Sequence, residues 1–436
     1  MSEVHKKVEQ FLRSRGMYHG DIDTSRAAQR FIEQMEAGLA GQDSSLAMIP
    51  TYIEMGKSLP VGEPVIVMDA GGTNFRAAVV TFDENGVAVI DKLRKKKMPG
   101  IDKEVSAAEF FDIIVDYIRD IVEASRRIGF CFSYNCVITP DKDGRLVVFS
   151  KEIKAPQVVG QMIGENLKAA LKRAGLDANK HVVILNDTVT TLLSGKAGFA
   201  DKQYDSFVGF ILGTGTNTCY IEKNNNIKKV SGLDAGKEMI INIESGAFEA
   251  QQGEIDKKFD ASTDSPGMQK FEKMLSGAYL GGLCFETIKS AIEGGLFSSP
   301  AAEKLKKIKT LNTKNVSDYL AEPSAAFSPL GQAIFNASNY DKAVTEALIS
   351  AIIERAAKLV AINLSAVILK TGKGKNPDSP VCIVAEGTTY YNMPGLKEKV
   401  EKYLDDFLTG QKGCHYQIVH VDNATLIGAA IAGLTN

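Results

Sequence analysis

The chain has 436 residues, of which 44% are apolar, and a formal net charge of −2. That length allows two or three domains with full cores, and that apolar share excludes disorder of the whole. The near balance of 51 basic and 53 acidic residues argues against nucleic acid or an anionic membrane as the main partner.

The N-terminal run MSEVHKKVEQFLRSRG is charged and has no apolar signal core, and no apolar run approaches membrane-spanning length. A cytoplasmic location is therefore expected. Apolar residues three and four apart predict a helix over SRAAQRFIEQMEAGLAG. A glycine hairpin follows in VIVMDAGGTNFRAAVV, residues 65–80, and the run LRKKK at 93–97 reads as a solvated strand end. AAEFFDIIVDYIRDIVEASRR, 107–127, predicts an amphipathic helix, followed by strand IGFCFSYN and hairpin VITPDKDGRLVVFS. Helix VVGQMIGENLKAALKRAG, 158–175, leads to strand HVVILND and then to a second glycine hairpin, FVGFILGTGTNTCYIE, at 207–222. Helical stretches are expected at 268–293 and 341–369, with a solvated loop at 371–380. SPVCIVAEGTTYY reads as a strand and turn, LKEKVEKYLDDFL as helix, HYQIVHV as strand and ATLIGAAIAGLT as a closing helix. Strands alternating with helices mean α/β layers. The cysteines at 131, 136, 219, 284, 382 and 414 form no CxxC and no Cys/His cluster, so they read as reduced thiols, most of them inside strands.

The two glycine hairpins stand out. Each is a buried strand, a turn with Gly, Thr and Asn, and a second strand. Glycine lets the backbone approach a ligand, and successive N–H groups can form an anion-holding concavity. Ordinary glycine hairpins are common, but the repeated Thr and Asn favour a polyphosphate clamp made from two halves. Asp187 follows the apolar strand HVVIL. Spacing alone fits equally a cleft carboxylate that accepts a proton and a residue that caps the next helix.

MDAGGTNFR, LNDTVTTLLSG, GFILGTGTNTCYIE, INIESGAF and FEKMLSGAYLG, in that order, resemble the eukaryotic-type hexokinase/glucokinase family. The resemblance runs from about residue 30 to about 290, weakens through 295–375 and returns in AEGTTYYNMPGL. It implies an α/β, two-domain actin-like ATPase (ribonuclease H-like) fold with a cleft between a small and a large domain. The expected division is 64–188 plus 423–436 for the small domain and 1–63 plus 189–422 for the large one. It implies ATP-dependent phosphorylation of a hexose, glucose first, at the 6-hydroxyl. A non-catalytic sugar sensor and a different hexose preference stay as alternatives. The partners implied are the hexose and ATP with Mg²⁺, bound to a monomer or homodimer.

By the same resemblance Asp187 is the catalytic base. Lys151 binds sugar and supplies positive charge near the transferring phosphate, and Ser133, Ser150, Asn186, Asn217, Glu244 and Glu272 bind the sugar. Asp69, Gly71, Gly72, Thr73, Asn74 and Arg76 form one side of the nucleotide site. Gly213, Thr214 and Gly215 form the other, and Gly387 and Thr388 make the adenosine turn. Asp69 suits a hydrated Mg²⁺, while Arg76 fits equally a pairing with a carboxylate in the hairpin. The chain departs from the family pattern in several places. Glu152 adds a negative charge after Ser150-Lys151, and Ser133-Tyr134-Asn135 lacks the family's proline. No Trp follows Glu244, Glu386 replaces an Asp, and ATLIGAA lacks the usual Gly-Ser-Gly-Lys-type loop.

Overall fold

The computed structural model describes residues 3–56, 58–149, 153–197, 202–323 and 327–436. A five-stranded sheet has the spatial order Ala88–Lys97, Asn74–Phe82, Val65–Gly71, Arg127–Phe132, His181–Leu185. Its first three strands are antiparallel neighbours and its last three are parallel. A six-stranded sheet has the order Ile49–Pro50, Glu238–Asn242, Thr216–Lys223, Ser206–Leu212, Val381–Glu386, Tyr416–Val419. It is antiparallel as far as Ser206–Leu212 and parallel beyond. Apart from the short edge strand Ile49–Pro50, both sheets place their strands 3-2-1-4-5 when numbered in chain order within each sheet. The glycine turns join the first and second strand of each. What repeats is therefore a whole sheet plan, and each turn sits at the carboxyl end of its sheet's first strand, where open α/β sheets bind ligands.

Burial follows from these positions. The central strand Val65–Gly71 is buried along nearly its whole length, as a strand covered on both faces must be. The edge strand Ala88–Lys97 is mostly exposed, and LRKKK ends it in solvent as expected. Each sheet has its own core, and a third apolar cluster joins them. That cluster draws Val67 and Leu185 from one sheet, Cys219 and Ile240 from the other, and Leu192, Leu426 and Ala430 from two helices between them. These helices are Asp187–Ser194 and Ala424–Thr435. The second is apolar all round and buried, as a helix inside a layer should be. Glycines set its close approach. A Cβ on Gly428 would lie 1.8 Å from the Thr190 carbonyl oxygen, and one on Gly129 would lie 1.8 Å from that of Ala429.

Several elements differ from the sequence expectation. The helix expected over 107–127 ends at Ile118, and a short turn at Val122–Ala124 precedes the strand that starts at Arg127. Ile121 and Val122 keep the apolar rhythm because they are buried, not because they are helical. The helix expected from 158 begins at Ile163, since Gly160 at φ +83° first turns the chain back to donate its N–H to Leu146. The stretch 268–293 is two helices, Lys270–Lys273 and Leu280–Glu293. The stretch 341–369 is one helix, Asn339–Thr371, 33 residues long. Helices at Glu3–Ser14, Glu254–Ala261, Ser299–Leu305, Thr313–Ala321 and Pro329–Ile334 were not anticipated. All six cysteines are free and buried, four of them in strands.

Candidate active site

The second glycine turn is built by contacts from three segments. Gly277 and Ala278 donate backbone N–H groups to the carbonyls of Gly213 and Thr214, at 2.8 and 2.9 Å. This is why the helical stretch breaks between residues 273 and 280. Thr389 Oγ1 donates to Gly213 O at 2.8 Å from the other side. Gly387, at φ +113°, could not carry a side chain, since its Cβ would lie 2.3 Å from Leu212 O. Thr214, Gly277, Ala278 and Thr388 line an open pocket of about 510 Å³, completed by the first turns of the helix Thr313–Ala321. The expected adenosine residues Gly387 and Thr388 thus adjoin Gly213 and Thr214.

The first glycine turn is held from both sides as well. Gly72 has φ +65°, and its carbonyl accepts the Tyr134 hydroxyl at 2.8 Å. Tyr134 stands in the turn that lacks the family's proline. Its ring packs on Phe132 and Phe149 at 4.9 and 5.0 Å, so packing and one hydrogen bond fix a turn that proline does not. Burial and the charge of Asp69 push its phenol up, so it stays a donor. Arg76 donates through Nε to Asp69 Oδ2 at 3.0 Å and through Nη2 to Thr425 Oγ1 at 2.7 Å. Thr425 Oγ1 lies 3.1 Å from the same carboxylate oxygen. The alternative role of Arg76 as partner to a hairpin carboxylate is therefore realised. Asp69 Oδ1 accepts no hydrogen bond among the described residues, and faces the side where Ser133 lies beside Gly71.

Three of the residues expected to bind sugar, Asn217, Glu244 and Glu272, stand on the side of the other sheet. Glu244 has a left-handed backbone, φ +60°, a strained choice for a non-glycine. Its Oε1 accepts from Asn242 Nδ2 at 2.7 Å and from Asn217 Nδ2 at 3.1 Å. Asn217 is oriented in turn by the N–H groups of Thr218 and Ser245, at 2.7 and 3.3 Å. Glu272 Oε2 accepts the Thr216 N–H at 2.9 Å, which ties it to the second glycine turn. Only glycine at 215 permits this, because a Cβ there would lie 2.5 Å from Glu272 Oε2. Burial pushes both carboxyls above the usual range, and the charge of Glu244 adds to the effect on Glu272.

Asn186 caps the helix Asp187–Ser194, accepting the Thr188 N–H at 2.9 Å. Asp187 is the first residue of that helix, and its Oδ1 also receives the Thr188 N–H. The capping role left open for Asp187 thus falls mainly to Asn186. The buried Cys131 thiol is pushed up by burial and by the charges of both Asp69 and Asp187. The Cys219 thiol, on the other sheet, is raised by burial and also feels Asp187. Asp187 therefore stands where the two sheets meet. Asn186, Tyr134, Asn135, Asn242 and Glu244 line one crevice drawn from both sheets.

Ser150 and Lys151 lie outside the described residues. Sequence reasoning named neither Asn242 nor Thr425 as a site residue, although Asn242 holds Glu244 and Thr425 holds Asp69. Asn242 stands two residues before Glu244 within a quoted motif, which is the signal that could have found it. Glu386, the replacement for an Asp, lies 3.1 Å from His420 Nδ1.

Comparison with known proteins agrees with this geometry. Two family models described as hexokinase match residues 9–197 and 207–435. Hexokinase-1 of Schizosaccharomyces pombe is 29% identical, with 93% of this chain and 86% of that protein covered. Hexokinase-3 of Mus musculus is 31% identical over 84% of this chain, and the match spans only 41% of that longer protein. Among solved structures, the hexokinase from Schistosoma mansoni complexed with glucose is 26% identical, with a TM-score of 0.75 over 99% of both chains. Another hexokinase crystal structure reaches a TM-score of 0.76 at 22% identity, over 98% of both chains. The fold is the two-domain actin-like ATPase fold. With its two glycine turns, its paired carboxylates and matching family models over most of its length, this chain belongs to the hexokinase family.

Proposed function

We propose that the chain transfers the γ-phosphoryl group of ATP to the 6-hydroxyl of a hexose, glucose first, giving hexose 6-phosphate and ADP. The observation that carries this is that Asn186 and Glu244, from opposite sheets, line one narrow crevice of about 20 Å³. Tyr134 links it to Gly72 of the first turn, and Asn217 and Glu272 link it to the second. The named relatives support the same reading: the Schistosoma mansoni structure holds glucose.

Phosphoryl transfer passes through a loose transition state, so positioning and electrostatic stabilisation do most of the work. Asp187 accepts the proton of the attacking hydroxyl. Glu244, Glu272, Asn186 and Asn217 hold the other hydroxyls, with Ser133 closing the side near Asp69. The turns at 71–74 and 213–215 offer backbone N–H groups and Thr hydroxyls to phosphate oxygens. The pocket at Thr214, Gly277 and Thr388 takes the adenosine. Among the described residues no three side chains gather as a metal site, which suits an ion that keeps most of its waters. Asp69, through its Oδ1, is the residue that would hold Mg²⁺ by way of water. When bound with the nucleotide, that ion neutralises charge on the phosphates. The small domain is assigned as 64–188 plus 423–436 and the large one as the remainder.

A coupled assay with ATP and glucose tests the reading. Wild-type protein is expected to form glucose 6-phosphate, and Asp187→Ala to lose roughly 10²- to 10⁴-fold in kcat with little loss of sugar affinity. No turnover in the wild type, or near-normal turnover in the variant, would contradict it.

A further inference from the structure

Behind the sugar carboxylates lies a second cavity, of about 440 Å³, within the range of small-molecule sites. Its floor is aromatic. Phe248 closes the turn that follows Glu244, and Phe271 immediately precedes Glu272. The two rings stack edge-on at 5.6 Å, and Phe31 of the helix Thr24–Ala40 packs on Phe248 at 4.5 Å. The rim carries two arginines and two aspartates. Arg26 and Arg30, four apart on that helix, line the cavity and form no ion pair among the described residues. The aspartates that line it are both engaged: Asp21 by Arg13, and Asp23 by the N–H of Arg26, which it accepts as the helix cap.

The walls are fixed. Lys358 of the long helix Asn339–Thr371 donates to the carbonyls of His19 and Ile22, at 3.0 and 2.7 Å. Arg355, 2% exposed, also lines the cavity. Its terminal nitrogens are held by Asp256, at 3.0 and 2.6 Å, while its Nε has no hydrogen-bond partner among the described residues. A buried donor left unsatisfied is costly and marks a place where a further acceptor would be gained.

We infer that this cavity is a second small-molecule site, for an organic anion with a carboxylate or phosphate monoester on an apolar body, and that its occupancy changes sugar affinity. The guanidiniums suit such a head group, and Phe248 and Phe271 suit its body. The route to the sugar site is short. A Cβ on Gly246 would lie 2.8 Å from Gln269 Oε1 and 3.2 Å from Glu272 Cβ, so the segments carrying the two carboxylates interlock. A body wedged on Phe248 and Phe271 shifts both segments together. This second half rests on reading Glu244 and Glu272 as sugar acceptors.

Calorimetric titration of the full chain, without nucleotide, tests it with 2-naphthoate, 2-naphthyl phosphate and neutral 2-naphthol. At least one of the two anions is expected to bind, and 2-naphthol at least tenfold more weakly. The exposed pair Arg26→Ala/Arg30→Ala is expected to weaken the anion tenfold or more. The two anions tell a carboxylate site from a phosphate site. No binding by either anion, or binding unchanged in the double variant, would overturn the site. Saturating anion is expected to change the glucose dissociation constant at least threefold, with the reciprocal change in its own. Anion binding without that change would overturn the coupling. A failure of the kinase reading leaves the anion titration untouched.

Discussion

In their proposed role Glu244 and Glu272 are held for use rather than for stability. Each is half-buried, each is raised above an ordinary glutamate, and each has few hydrogen-bond partners in the folded chain. A carboxyl whose pKa is higher folded than unfolded contributes stability below the unfolded value and loses it as pH rises through the folded value. At neutral pH Glu272 is therefore a burden that, in its proposed role, a sugar hydroxyl relieves. Removing the charge should stabilise the empty protein while weakening sugar binding, the trade-off expected of a functional group. In Glu272→Gln the melting temperature is expected to rise and the glucose KM to increase by about 10- to 100-fold, the worth of a hydrogen bond to a charged group. In the wild type the glucose KM should begin to climb at a higher pH than the protonation of an ordinary glutamate, at about 4.3, would give. A KM that climbs only where an ordinary glutamate protonates would argue against these two residues as acceptors. Asp187 was legible at this scale only with its neighbours, since spacing alone did not tell a cap from a base. The structure gives the N-cap position to Asn186, the residue before it.

At the scale of elements, the second glycine turn shows why some residues could be read early and others could not. The motif GTGTN is written in local chemistry: glycines where a backbone or a carboxylate comes close, Thr and Asn where polar groups are needed. The turn's supports are tertiary. Gly277, Ala278 and Thr389 arrive from far along the chain and leave no local mark beyond a helical rhythm that runs on past its break. Gly387 is the support most open to test. Its Cβ would lie 2.3 Å from Leu212 O and 2.6 Å from Gly213 N, both backbone atoms, and its φ of +113° is closed to other residues. Gly387→Ala is expected to cost roughly 3 kcal/mol, from overpacking and backbone strain together. Because the strain falls on the proposed adenosine turn, ATP KM should rise much more than glucose KM. A variant with normal melting temperature and normal ATP KM would show that the turn yields without consequence.

At the scale of the molecule, the two sheets share one plan and one apolar layer, made by the helices Asp187–Ser194 and Ala424–Thr435. The repeated turn was visible in the sequence because a turn constrains particular residues. The repeated sheet order was not, because strand pairing is set by contacts between distant segments. Since the two glycine turns lie on different sheets, the proposed phosphate clamp depends on how the halves are set against each other. Closure would exclude the water that competes with the sugar as acceptor. Glucose alone is expected to reduce the radius of gyration in small-angle scattering, before any nucleotide binds. An unchanged radius in a sample shown to bind glucose would count against sugar-driven closure.

The central claim is that the phosphoryl group goes to a sugar hydroxyl. It is tested most directly by phosphorus NMR of the protein with ATP, Mg²⁺ and glucose. The predicted spectrum shows glucose 6-phosphate growing in step with ADP. ADP accompanied by inorganic phosphate instead, or ATP left unconsumed, would contradict it.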